Sequence, residues 1–140
     1  ELLEPRPLLA ALILSNNLRV LLILALSSFT VVGPGAIMLI NGVIIGAVLA
    51  LAARKLPPSA LLLSVLPHGI VEVPAFIYAA AVSTTFGLAV WRRALKREPG
   101  VGAAAVSYVK ALIVSAALIV AAALIEAFVT PTLVEPLLAP

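Results

Sequence analysis

LPHGIVEVP, residues Leu66 to Pro74, puts an imidazole and a carboxyl group inside a run that is otherwise apolar. From Leu56 to Trp91 no other side chain carries charge at neutral pH, apart from what His68 and Glu72 contribute. Polar groups of this kind are costly in lipid, so they are paired, enclosed by protein, or used. Pro67, Gly69 and Pro74 also crowd the same stretch, and each disfavours an uninterrupted helix. Basic residues flank it: Arg54-Lys55 before, and Arg92, Arg93, Lys96 and Arg97 after. Positive charge favours the cytoplasmic side, so both clusters are expected on one face of the membrane. The segment between them must then enter and return. A short re-entrant limb from Ser59 to about Leu66, followed by a full helix from about Val73 to Trp91, satisfies that demand. Irregular backbone survives in a membrane only inside protein or against water, so the stretch should be enclosed.

The rest of the chain supports a membrane setting. Hydrophobic residues make up 64% and charged ones 11% of 140 positions, with mean hydropathy +1.26. A soluble domain needs roughly a quarter charged residues to coat its surface. The lipid bilayer is therefore the expected partner and a multi-pass place in the cell membrane the expected location. No short positive, apolar and cleavage pattern of a secretory signal stands at the start. The absence of cysteine excludes disulfides and thiolate metal sites. The net charge of +3 does not point to nucleic acid, because the basic residues sit at the ends of apolar runs.

Charges, prolines and glycines divide the chain into one transmembrane domain over residues 1–140. Residues 1–17 hold Leu8–Leu14, too short to span and expected as an interfacial helix. A first span is expected over 18–32, a turn at Gly33-Pro34-Gly35, and a second span over 36–53. Residues 59–91 supply the re-entrant limb plus a span, and 111–129 the last. A continuous helix from Pro7 would lengthen the short first span, at the expense of burying Arg19. Trp91 and Tyr108 fall where an aromatic belt would hold them. The expected fold is thus an all-α polytopic bundle with four full spans, one re-entrant limb around Leu66–Pro74 and an N-terminal interfacial helix.

Helix rise places Asn41 roughly 10 Å below the turn at Pro34. Glu126 lies near the matching end of the last span, and the tip with His68 and Glu72 points to the same half. Asn41, His68, Glu72 and Glu126 are therefore expected to share a buried polar layer. It can be a structural network, with His68 donating to Glu72 or Glu126 and Asn41 satisfying broken backbone. It can be a transport or proton-relay site, since imidazole titrates near neutral pH. His68, Glu72 and Glu126 are also a candidate metal set, although HxxxE spacing alone is weakly diagnostic. There is no serine elbow, no HExxH and no second histidine for hydrolysis. No cofactor is implied. Gly42 and Gly46 form a GxxxG spacing that lets helices approach closely, either within the chain against the re-entrant limb or between two copies. Ala105, Ala111, Ser115 and Ala122 repeat the device in the last span.

SNNLRV at Ser15–Val20, NGVIIGAVL at Asn41–Leu49, LPHGIVEVPAF at Leu66–Phe76 and ALIEAFVTP at Ala123–Pro131 resemble, in this order, the stage II sporulation protein M family of integral membrane proteins. The PHG-x-x-E-x-P signature with the terminal IEAFVTP carries most of the specificity. AAVSTTFGL at Ala80–Leu88 departs from the family, which more often has a glycine-rich segment there. The resemblance implies a non-enzymatic scaffold or complex subunit, acting with a second copy or with other membrane proteins. The namesake works in engulfment during endospore formation beside peptidoglycan-degrading partners. The alternative is a channel or transporter for an ion or small solute. The family's polar signature maps onto Asn41, His68, Glu72 and Glu126, and no catalytic residue is carried over.

Overall fold

Apolar composition makes helix the only economical backbone here, because a bilayer offers N–H and C=O groups no water. The computed structural model describes residues 6–95 and 100–138, and all of their regular structure is helical. Helix α1 (Arg6–Leu26) runs into a 3-10 turn (Ser27–Thr30). Helices α2 (Gly33–Ala52), α3 (Pro58–Ala94) and α4 (Gly102–Leu124) follow, then a π turn (Ile125–Val129) and α5 (Thr130–Leu138). Four stretches are long and apolar enough to cross a membrane: Arg6–Thr30, Gly33–Ala52, Pro58–Ala94 and Gly102–Leu138. The protein is a multi-pass membrane protein of the all-α class.

Proline sets where helices begin. Pro34 and Pro58 occupy the first turns of α2 and α3, where a missing N–H costs no intrahelical bond. Pro67 and Pro74 do not break α3, which runs 37 residues without interruption. The re-entrant limb expected around Leu66–Pro74 is therefore not formed, since that stretch lies inside α3. Each internal proline costs about 3 kcal/mol through one lost bond and a ring clash. Opening the helix inside lipid would instead strand several backbone groups, each costing several kcal/mol. Continuity wins.

A continuous α3 also reverses the charge argument. Arg54 and Lys55 precede it and Arg92 and Arg93 end it, so these groups lie at opposite ends of the bundle. Lys96 and Arg97 fall outside the described residues. Because the chain has no cysteine, single replacements Arg54→Cys and Arg93→Cys give a direct test. In oriented vesicles an impermeant thiol reagent is expected to label them from opposite sides. Labelling from one side would restore the entering-and-returning segment.

At the N-terminus the separate interfacial helix merges with the first span, since α1 passes through Ser15–Arg19 unbroken. The first turn also starts earlier than the glycines suggest. Its one positive φ, 63°, falls on Val31, whereas Gly33 is already helical. Gly33 is needed for space: a methyl there would run into Thr30 Oγ1 and lie 2.6 Å from Ser27 O.

The core lies mainly between α3 and α4. Ala75, Ala79, Ser83 and Gly87 recur every four residues on α3 and are buried. Ala111, Ser115 and Ile119 do so on α4, Ala122 follows three residues on and is also buried, and Ala105 is half-buried. Small residues at helical spacing let the two backbones approach, and Ser115 Oγ donates to Ala75 O at 2.9 Å. Leu21 and Leu24 of α1 complete the cluster with Phe76. The segment departing from the family pattern, Ala80–Leu88, packs closely all the same through Ala80, Ser83 and Gly87.

Aromatic residues close one end. Trp91 Nε1 donates to Phe29 O at 2.7 Å, and Tyr108 Oη to Ala25 O at 2.9 Å. Phe86 stacks on Tyr108 with centroids 4.4 Å apart and meets Phe29 edge-on at 6.1 Å. This ties the end of α1, the 3-10 turn, the end of α3 and the start of α4 into one unit. Helix α2 packs on the core only at its start, through Ile37 and Met38, and Pro34 is its one buried residue.

Candidate functional site

The polar residues gather towards the other end of the bundle. Ser64, His68 and Glu72 are spaced one helical turn apart on α3, so they form a stripe along one face. Asn17 of α1 meets that stripe: its Nδ2 donates to Glu72 Oε2 at 2.8 Å. From α4's end, Glu126 Oε2 stands 4.0 Å from His68 Nε2. That is an ion-pair distance but too long for a hydrogen bond. His68 Nδ1 is buried and has no hydrogen-bond partner among the described residues.

Glu126 owes its position to the π turn. Pro131 has no N–H to give to the carbonyl four residues earlier, and the helix widens just ahead of it. There the Thr130 N–H donates to Ile125 O, and its Oγ1 reaches the same oxygen at 3.3 Å. Pro131 therefore reshapes the last helix without stopping it. Single π turns of this kind recur at functional sites.

These side chains border a half-open cavity of about 610 Å³ between α1, α2 and α3. Asn16 and Asn17 line it from α1, Asn41 from α2, Ser64, His68 and Glu72 from α3, and Glu126 from the π turn. Ile44, Ile45, Val48 and Leu49 of α2 supply an aliphatic wall. The four residues singled out from sequence thus border one space. Their pairing differs from the expected network, however. Glu72 takes its hydrogen bond from Asn17 rather than His68, and Asn41 bonds to no described residue. With α3 unbroken, there is no opened backbone for Asn41 to satisfy.

Asn17 is the residue that sequence reading missed. In the sequence, Ser15, Asn16 and Arg19 beside it make it read as a marker of the water boundary. The signal lay in the longer-helix reading from Pro7, which puts both asparagines in the middle of a span. Gly42 and Gly46 also sit elsewhere than against an intramolecular neighbour. A methyl group at either would meet nothing within 4 Å. Close packing against a re-entrant limb is therefore not their role in the single chain.

Chemically, the cavity offers donors and acceptors on one side and an aliphatic wall on the other. Among the described residues no three of His, Cys, Asp and Glu come together closely enough to hold a metal ion. The sequence model of the family described as Stage II sporulation protein M matches residues 2–131. No curated protein and no solved structure matches the chain.

Proposed function

The chain belongs to the stage II sporulation protein M family, and from that premise we propose that it is a non-enzymatic subunit that organises a membrane complex through α2. The observation that carries this reading is how little of α2 the rest of the chain covers. None of the residues in its most apolar window is buried, against 28% in the last span. Its GxxxG edge is bare, and Asn41 at its middle lacks a partner among the described residues. A polar amide at mid-helix and a flat glycine edge are both features that drive helix association in lipid. A neighbouring membrane protein or a second copy seated on α2 would satisfy both.

Gly42→Leu with Gly46→Leu is expected to abolish co-purification of any partner, or self-association, from native membranes. The isolated chain should keep its melting temperature in detergent, because open space surrounds both positions. Gly42→Ala should even raise it, since alanine in an exposed helix is favoured by about 0.5–1 kcal/mol. A wild-type chain that purifies alone and monomeric would defeat the proposal.

A second reading, passage of an ion or small solute, draws on the half-open cavity and on His68 Nδ1, which has no partner among the described residues. Helix-lined polar sites at mid-depth are where transporters bind their substrates. Flux into proteoliposomes that His68→Ala abolishes in a still-folded protein would favour it over the scaffold.

A further inference from the structure

A second groove lies between α1 and α2, next to the larger cavity, with which it shares Asn16, Asn41 and Ile44. It measures about 240 Å³ and is lined by Asn16, Arg19 and Asn41 together with aliphatic Val20, Ile23, Ile37, Ile40 and Ile44. Arg19 is exposed there and makes no hydrogen bond or ion pair with any described residue. It stands seven residues before the end of α1, roughly 10 Å along the helix from the aromatic end. A long arginine side chain can lay its methylenes along such a groove and bring its guanidinium to headgroup level. No acidic side chain lines the groove: Glu72 and Glu126 face the larger cavity.

A cation held at this depth without a counter-charge is costly, so its natural occupant brings a negative one. A phosphate headgroup followed by acyl methylenes matches the lining, in which one cation and two amides stand beside five branched aliphatics. Guanidinium and two amides would take phosphate oxygens, the guanidinium in fork geometry. The branched aliphatics would take methylenes. We infer that the α1–α2 groove is a binding site for an anionic phospholipid, with Arg19 on its phosphate.

The test uses the full chain in detergent, with native mass spectrometry counting bound lipid. Phosphatidylglycerol is expected to bind about fivefold more strongly than phosphatidylcholine of the same chains, the value of one arginine–anionic lipid contact. Arg19→Gln should bring the two to parity, with unchanged melting because Arg19 holds no described partner. Arg54→Gln, in the α2–α3 loop, should preserve the preference. Should Arg19→Gln not fold, Ile37→Trp serves instead: it fills the groove, leaves the charge, and should also displace phosphatidylglycerol. Inorganic phosphate in large excess should not compete, since it cannot use the aliphatic wall. Equal binding of both lipids, a preference surviving Arg19→Gln, or displacement by free phosphate would each overturn the inference. So would loss of a co-purifying acidic membrane protein on Arg19→Gln with lipid binding intact.

Discussion

Gly87→Ala is expected to destabilise the protein more than any other methyl addition on α3, by about 3 kcal/mol. A Cβ at Gly87 would collide with the carbonyl oxygen of Ser28 and lie 3.0 Å from its carbonyl carbon. Both are backbone atoms, so no rotamer change relieves the contact. Nor can the 3-10 turn retreat freely. Trp91 holds Phe29 O from one side, and Tyr108 holds Ala25 O from the other. Val31 follows with its positive φ, a conformation a β-branched residue keeps only under constraint from its surroundings. Overpacking a fitted core costs about 1–3 kcal/mol, and a backbone obstacle belongs at the upper end. Thermal melting in detergent should show a clear fall for Gly87→Ala beside none for Gly42→Ala. Equal melting of the two would mean that the turn does not rest on α3.

The contrast between these glycines shows what the sequence made legible. Membrane class, the number of spans and the aromatic end at Trp91 and Tyr108 follow from composition and from where charges stop apolar runs. Such signals are local in sequence and their physics is transfer into lipid. The close α3–α4 seam was half visible, because Ala111, Ser115 and Ala122 declare their spacing. Which glycines touch something was not visible. Gly87 and Gly42 have the same propensity, and only tertiary placement separates a jammed methyl from an open one.

The continuity of α3 was misread for a related reason. Pro67, Gly69 and Pro74 together would end a helix in water, where the freed carbonyls find solvent. In lipid the alternative to a kinked helix is worse than the kink. Breaker rules learned in water therefore overcount breaks here. The positive-charge rule compounded the error, since Arg54-Lys55 and Arg92-Arg93 lie at opposite ends. His68, Glu72, Asn41 and Glu126, which border one cavity, stand out in the sequence because an isolated polar residue in an apolar run is conspicuous whatever the helix does. Asn17 escaped notice because neighbouring Asn16 and Arg19 made it look like a boundary.

Asn17 carries the second large effect. Asn17→Leu is expected to cost about 1–2 kcal/mol, the upper part of the range for interhelical hydrogen bonds in lipid. The loss comes less from the bond than from Glu72, left part-buried without its donor. Two further variants separate those contributions. Glu72→Gln keeps an acceptor for Asn17 Nδ2 and should melt close to wild type. Asn17→Leu with Glu72→Leu removes both partners and should recover much of what the single Asn17 change loses. A double-mutant cycle on melting free energies would show that coupling, and additive losses would mean the 2.8 Å contact contributes nothing. Glu72→Gln then becomes the sharper functional probe. It leaves the bond but alters the carboxyl that faces the cavity with His68 and Glu126. A complex-organising subunit that works through α2 should assemble normally with this variant. A solute pathway through the cavity should lose its flux, so one folded protein gives opposite readings under the two functions.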